Sequence, residues 1–163
     1  LGFTTRIINP DRLIDKFTGK EGLFENSPFD ERTRQIIAKT KTPLGILIDK
    51  DLQQVNQVII PIFSSDDSFL LDYAQKLISN NDSQIIVLDV KGYSSTNFVL
   101  KSAINSLEQK YPKNVSFVND KIIKKDFLAD IDLMIISVGS WKLLLDKYSI
   151  WLSRVPSVLI IKH

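Results

Sequence analysis

The chain contains no cysteine and a single histidine, and that histidine, His163, is its last residue. Without thiols there is no disulfide framework and no thiolate metal site. A lone terminal imidazole leaves almost nothing on which to build a histidine-based metal centre or a catalytic triad. Long apolar runs are missing too: none approaches the roughly 20 residues that a membrane-crossing helix needs. Neither sign of charge dominates. Lys and Arg number 21 against 19 Asp and Glu, a formal net charge of +2 that by itself argues for no nucleic-acid surface. There is also no initiating Met and no signal-peptide pattern. The opening Leu1-Gly2-Phe3 reads as a piece cut from a longer chain.

What is present is ordinary in bulk and informative in pattern. At 163 residues, 44% apolar and 25% charged, the chain suits one globular domain with a real core. Its organising stretch is Val58 to Ala74. Val58-Ile59-Ile60-Pro61-Ile62-Phe63 is a β-branched run of the kind buried on both faces of a parallel sheet. Ser64-Ser65-Asp66-Asp67 then offers a polar turn with several N-cap candidates. Phe69, Leu70, Tyr73, Leu77 and Ile78 follow at helical spacing. Strand, turn and amphipathic helix open a βαβ unit, and residues 63–67 stand at a strand's carboxyl end, where such sheets bind ligands.

Before this stretch, a short helix is expected at about 10–18 and a longer one from Pro28 to about Lys39, then a strand Leu44–Ile48. After it come a strand Gln84–Val90, a helix Thr96–Tyr111, a weaker strand Val115–Val118 and a basic helix or loop Lys121–Ala129. A strand Asp132–Val138, a helix Lys142–Ser153 and a strand Val158–Ile161 complete the pattern. Strands alternating with helices imply an α/β fold, an open parallel five-stranded sheet of order 3-2-1-4-5.

One segment has an echo. Ile36-Ile37-Ala38-Lys39-Thr40-Lys41-Thr42-Pro43-Leu44-Gly45-Ile46-Leu47-Ile48 and Ser149-Ile150-Trp151-Leu152-Ser153-Arg154-Val155-Pro156-Ser157-Val158-Leu159-Ile160-Ile161 share one plan: helix end, proline, apolar strand. The plan is common in α/β proteins, so chance is one reading. The other is that residues 1–50 are the tail of one unit, 51–56 a linker and 57–163 a complete second unit.

The closing Pro156-Ser157-Val158-Leu159-Ile160-Ile161 resembles the last strand of the universal stress protein family. Leu44-Gly45-Ile46-Leu47-Ile48-Asp49-Lys50-Asp51, followed by Val58 to Ala74 with Pro61 and Asp66-Asp67, is similar to the junction between tandem units in the cytoplasmic tails of cation/proton antiporters. The likeness covers about residues 36–90 and 132–161. It implies a Rossmann-like, universal stress protein-like sheet with an extra antiparallel edge strand from the N-terminal segment. Leu44, Ile46 and Ile48 would form that strand's interface with Val158 and Ile160. It also implies a non-catalytic regulatory or sensory domain, part of an integral membrane Na+/H+ or K+/H+ exchanger, at the cytoplasmic face of the plasma (inner) membrane. Its partners would be the membrane transport domain of the same chain and, in a dimer, a second copy, with no nucleic acid and no cofactor. The alternative is a stand-alone universal stress protein binding a nucleotide.

ATP-binding members carry an Asp at the end of strand one and a glycine-rich loop after strand four, where glycine lets backbone N–H groups reach the phosphates. Here Phe63 replaces the Asp, and Lys142 occupies the position of the glycine that should follow Gly139. The resemblance therefore marks a vestigial nucleotide pocket at Phe63, Ser64, Ser65, Asp66, Val90, Gly139, Ser140 and Lys142, open to a different small polar ligand. The remaining candidates have plainer readings. Asp66 and Asp67 suit helix capping better than a metal. Ser140 lacks a nucleophile elbow and a base. Lys121, Lys124 and Lys125 suit a solvated face, or otherwise anionic headgroups. Trp141 and Trp151 suit core or interface anchors, and Asp49-Lys50-Asp51 a solvated linker.

Overall fold

A computed structural model of the chain describes residues 4–8, 23–24, 35–36, 38–119, 127–147 and 154–163. The expected helix at about 10–18, most of the one at about 28–39, the Lys121, Lys124 and Lys125 cluster, Trp151 and the end of the last expected helix lie outside the described residues.

Eight strands are described: β1 (Thr4–Ile8), β2 (Leu23–Phe24), β3 (Leu44–Asp49), β4 (Gln57–Ile62), β5 (Gln84–Asp89), β6 (Val115–Val118), β7 (Leu133–Ser137) and β8 (Ser157–Lys162). They form one mixed sheet in the order β2-β1-β3-β8-β7-β4-β5-β6. The five strands from β4 onward pair in parallel, with helices described between β4 and β5, β5 and β6, and β7 and β8. β3 instead runs antiparallel to β8, with Ile46 opposite Ile160 and Ile48 opposite Val158. β1 pairs antiparallel with the other side of β3, and β2 with β1. The sheet thus continues past β3, an extension that the sequence pattern does not anticipate. Pairing with β1 gives β3's second row of backbone groups partners that an edge would lack.

The period-two alternation of strands β3 to β8 divides the core into two layers. Val58, Ile60 and Ile62 of β4, Leu133 and Ile135 of β7, and Leu159 and Ile161 of β8 face one layer. Ile59, Met134, Ile136, Val158 and Ile160 face the other, and β3 obeys the same rule, with Leu47 on the first side and Ile46 and Ile48 on the second. Helix α1 (Leu70–Asn81) and helix α2 (Phe98–Lys110) cover the first layer with Leu70, Tyr73, Leu77, Leu100, Ile104 and Leu107. Helix α3 (Val138–Lys147) covers the second with Trp141 and Leu144. The chain therefore winds one way from β4 to β6 on one face and the other way from β7 to β8 on the opposite face. That reversal puts a topological switch point between β4 and β7.

Local signals set the helix boundaries. The Asn97 side chain accepts from Leu100 N at 2.9 Å and caps α2. Asp82, in the left-handed region at φ 53°, closes α1. α3 starts at Val138, directly after β7, and not at Lys142 as the pattern suggests. The reason is a side-chain cap: Ser137 Oγ accepts from Ser140 N at 3.2 Å, so the strand's last residue starts the helix without a loop. No described helix is long and apolar enough to cross a membrane.

Candidate functional site

The candidate site is the switch point itself, and Pro61 helps to open it. In β4 successive residues direct their backbone groups to alternate neighbours. Gln57 O accepts from Asp132 N on the β7 side, and Ile62 O accepts from Val90 N on the β5 side. Pro61 shares the phase of Gln57, so its missing N–H faces β7. Parallel pairing of β4 with β5 runs the whole strand, from Gln57 to Ile62, whereas pairing with β7 covers Val58 and Ile59. Beyond Ile59 the two strands part.

A carboxylate fills the opening. Just past β4, residues Ser65–Phe69 make a 3-10 turn with a capping box: Ser64 Oγ accepts from Asp66 N at 3.2 Å, and the Asp67 side chain reaches back to the N-cap backbone. Asp67 is only 2% exposed. Its Oδ2 accepts from Phe63 N at 3.0 Å, Ser64 N at 3.1 Å and Ser140 Oγ at 2.7 Å. Its Oδ1 accepts from Ser137 Oγ at 2.6 Å. Four neutral donors from the ends of β4 and β7 and the start of α3 thus converge on one buried carboxylate. Chemically the arrangement is an oxyanion cradle already in use: four donors of the kind that could receive a ligand are turned onto Asp67. Charge-assisted bonds of this type are shorter and about twice as strong as neutral ones.

A second carboxylate seals the neighbouring strand end. Asp89, fully buried at the end of β5, accepts from Tyr93 N at 3.0 Å and Ser94 N at 2.7 Å and so holds the 3-10 turn Tyr93–Ser95.

The residues singled out from the sequence divide three ways. Ser64 and Ser140 join the Asp67 network directly, and Phe63 does so through its N–H. The Phe63 ring and Val90 are buried in the second core layer rather than lining an open pocket. Ser65 is half-buried, while Asp66, Gly139 and Lys142 face solvent. Gly139 lies in the first turn of α3, and a side chain there would meet nothing within 4 Å, so no close approach or unusual φ calls for glycine. Of the acidic pair, Asp67 and not Asp66 is the buried member. Sequence reasoning treated Asp67 as a cap, which is correct locally; its wider role comes from Ser137 and Ser140, 70 and 73 residues along the chain. Ser137 and Asp89 were missed. The available signal was a polar residue ending each of two otherwise apolar strands.

At the opposite end of the parallel strands lies an open polar cleft of about 310 Å³ bordered by Lys50, Leu52, Gln53, Asp132 and Ser157. Asp49-Lys50-Asp51 is not simply solvated linker. Lys50 donates from Nζ to Val155 O at 2.8 Å and from its backbone N to Ser157 Oγ at 2.9 Å, and Asp49 Oδ1 accepts from Leu52 N at 2.8 Å. Partial burial lowers the Lys50 pKa. Among the described residues no group of three or more His, Asp or Glu gathers that could hold a metal ion.

Comparison with models of protein families, with curated proteins and with solved structures finds no match for this chain.

Proposed function

We propose that this chain is a non-catalytic regulatory domain of the universal stress protein type, working on the cytoplasmic side of a monovalent cation/proton antiporter. The observation that carries the reading is the seam between β3 and β8. A strand from residues 1–50 lies antiparallel beside the last strand of residues 57–163, and both follow a proline and a helix-type segment. This is the arrangement expected where the tail of one unit adjoins a complete second unit. The strand order β8-β7-β4-β5-β6, which counted from β4 is 5-4-1-2-3, also supports it.

The closed switch point supports the non-catalytic part. β7 passes into α3 with no glycine loop between them, and the donors that would face a phosphate bind Asp67 instead. A domain of this kind transmits a conformational or binding signal to its transport partner.

Two measurements test the proposal. The complete reading frame should encode a set of apolar membrane spans upstream of Leu1; a frame without them removes the antiporter assignment. Calorimetry with ATP and with AMP, with and without Mg2+, should give no binding in the micromolar range. A micromolar dissociation constant, about −8 kcal/mol, would favour a nucleotide-binding stress protein instead.

A further inference from the structure

We propose that the crevice between β4 and β7 is a carboxylate-binding cradle whose resident ligand is the chain's own Asp67, and that it takes a free monocarboxylate once Asp67 is withdrawn. The inference rests on the crevice being the ligand position of the sheet, and not on the antiporter assignment. A reading frame without membrane spans would leave it standing.

Three features of the geometry point this way. The first is the position of the cradle: it lies where the strands part at the switch point, outside the carboxyl ends of β4 and β7. The second is its completeness. Two backbone N–H groups and two serine hydroxyls, at 2.6 to 3.1 Å, surround a side chain that is 2% exposed. A carboxylate needs such donors when it leaves water, and it finds all four without a cation among them. Neutral donors match a monoanion with two oxygens better than a multiply charged phosphate. The third is independence of the frame from the occupant. Phe63 follows β4 directly and its ring is buried in the second core layer, while Ser137 is held by its bond to Ser140 N as well as by Asp67. Removing the carboxylate therefore leaves donors already aimed at the gap. Asp67 itself arrives on a short 3-10 turn whose other acidic residue, Asp66, is in water.

The consequence is a latch. With Asp67 in place the crevice is satisfied and closed to ligands. With Asp67 displaced, four donors, three of them buried, lose their acceptor and favour capture of a carboxylate from solution or from an acidic side chain.

Chemical rescue of Asp67→Ala in the full chain is the test, with sodium formate as the probe and sodium chloride at matched ionic strength as the control. Formate should raise the melting temperature of the variant saturably, by roughly 5–10 °C at about 100 times its dissociation constant, and should leave the wild type unmoved. Adding Ser137→Ala and Ser140→Ala should abolish the effect. No rescue by formate, or rescue that survives loss of both serines, overturns the cradle. Rescue by inorganic phosphate at lower concentration than by formate overturns the carboxylate assignment. Should Asp67→Ala not fold, Asp67→Asn keeps the volume but turns an amide toward the donors. Backbone amide exchange at Phe63 and Ser64 should then be faster than in the wild type, and unchanged exchange overturns the proposal. ATP binding by the wild type would defeat the proposed function without predicting any of these outcomes, so the two failures remain distinct.

Discussion

Shortening the chain to begin at Asp51 removes β3 together with everything before it, and the structure allows the cost to be worked out. Ile46 and Leu47 are each 1% exposed and Ile48 4%. Burial of an aliphatic side chain of this size is worth about 1.5–3 kcal/mol, so the three contribute about 5–9 kcal/mol in transfer terms, an upper bound because unfolded chains are already partly compact. The backbone adds to this. β3 pairs with β8 from Leu44–Lys162 to Ile48–Val158, and removing it leaves those β8 groups without partners along an apolar edge. A domain of this size has a net stability of about 5–15 kcal/mol, so the loss is comparable to the whole. The shortened chain should therefore either unfold or associate through β8. Urea unfolding followed by circular dichroism, with light scattering for the oligomeric state, reads both outcomes. A shortened chain that remained monomeric, with the same midpoint and slope as the full chain, would refute the reasoning. Residues 57–163 would then be an autonomous unit and β3 an ornament on it.

Two further predictions concern the centre of the sheet and the polar cleft at the opposite end of its parallel strands. Ile135 is fully buried in β7, so Ile135→Ala should cost about 2–5 kcal/mol through lost transfer energy and a residual cavity, read as a fall in the urea midpoint. Lys50 supplies a pH dependence. Burial lowers its pKa from the ordinary value of 10.5, so the folded state holds this proton less firmly than the unfolded chain does. The penalty is present while both states are protonated and is relieved as pH rises from the lowered value towards 10.5. Stability of the wild type relative to Lys50→Met should therefore improve across that alkaline window; a constant difference between the two from neutral pH to that value would show that desolvation of Lys50 is not felt.

The strands from β4 onward were legible in the sequence because their signal is local. Val58–Phe63, Gln84–Val90, Val115–Val118, Asp132–Val138 and Val158–Ile161 are short β-branched runs bounded by polar residues, and each matches an observed strand to within a residue or two. The same runs supply the core: Ile60, Ile62, Val87, Ile135 and Leu159 are all fully buried. The antiparallel partnership of Leu44–Ile48 with the last strand was expected for a different reason: the resemblance to tandem universal stress protein-like units implied it, and β3 pairs with β8 from Leu44–Lys162 to Ile48–Val158.

Three things only the tertiary structure decided. Strand β1, Thr4-Thr5-Arg6-Ile7-Ile8, has only its last two residues apolar and β2 is two residues long, so neither presents an apolar run, and it is the uncovered side of β3 that gives them a place. The start of α3 was misplaced because its cap is Ser137, a strand residue, and sequence rules look for caps in loops. The candidate site is the third. Ser64-x-x-Asp67 announces a capping box, and nothing local distinguishes an exposed capping carboxylate from a buried one. Asp67 is buried because Pro61 withholds an N–H on the side of β7, the strands part, and two serines from a distant segment supply the missing donors. Hydrophobic pattern acts residue by residue along the chain, so sequence reveals it. Satisfaction of a buried charge depends on which chain ends the fold brings together, so only the folded sheet determines it.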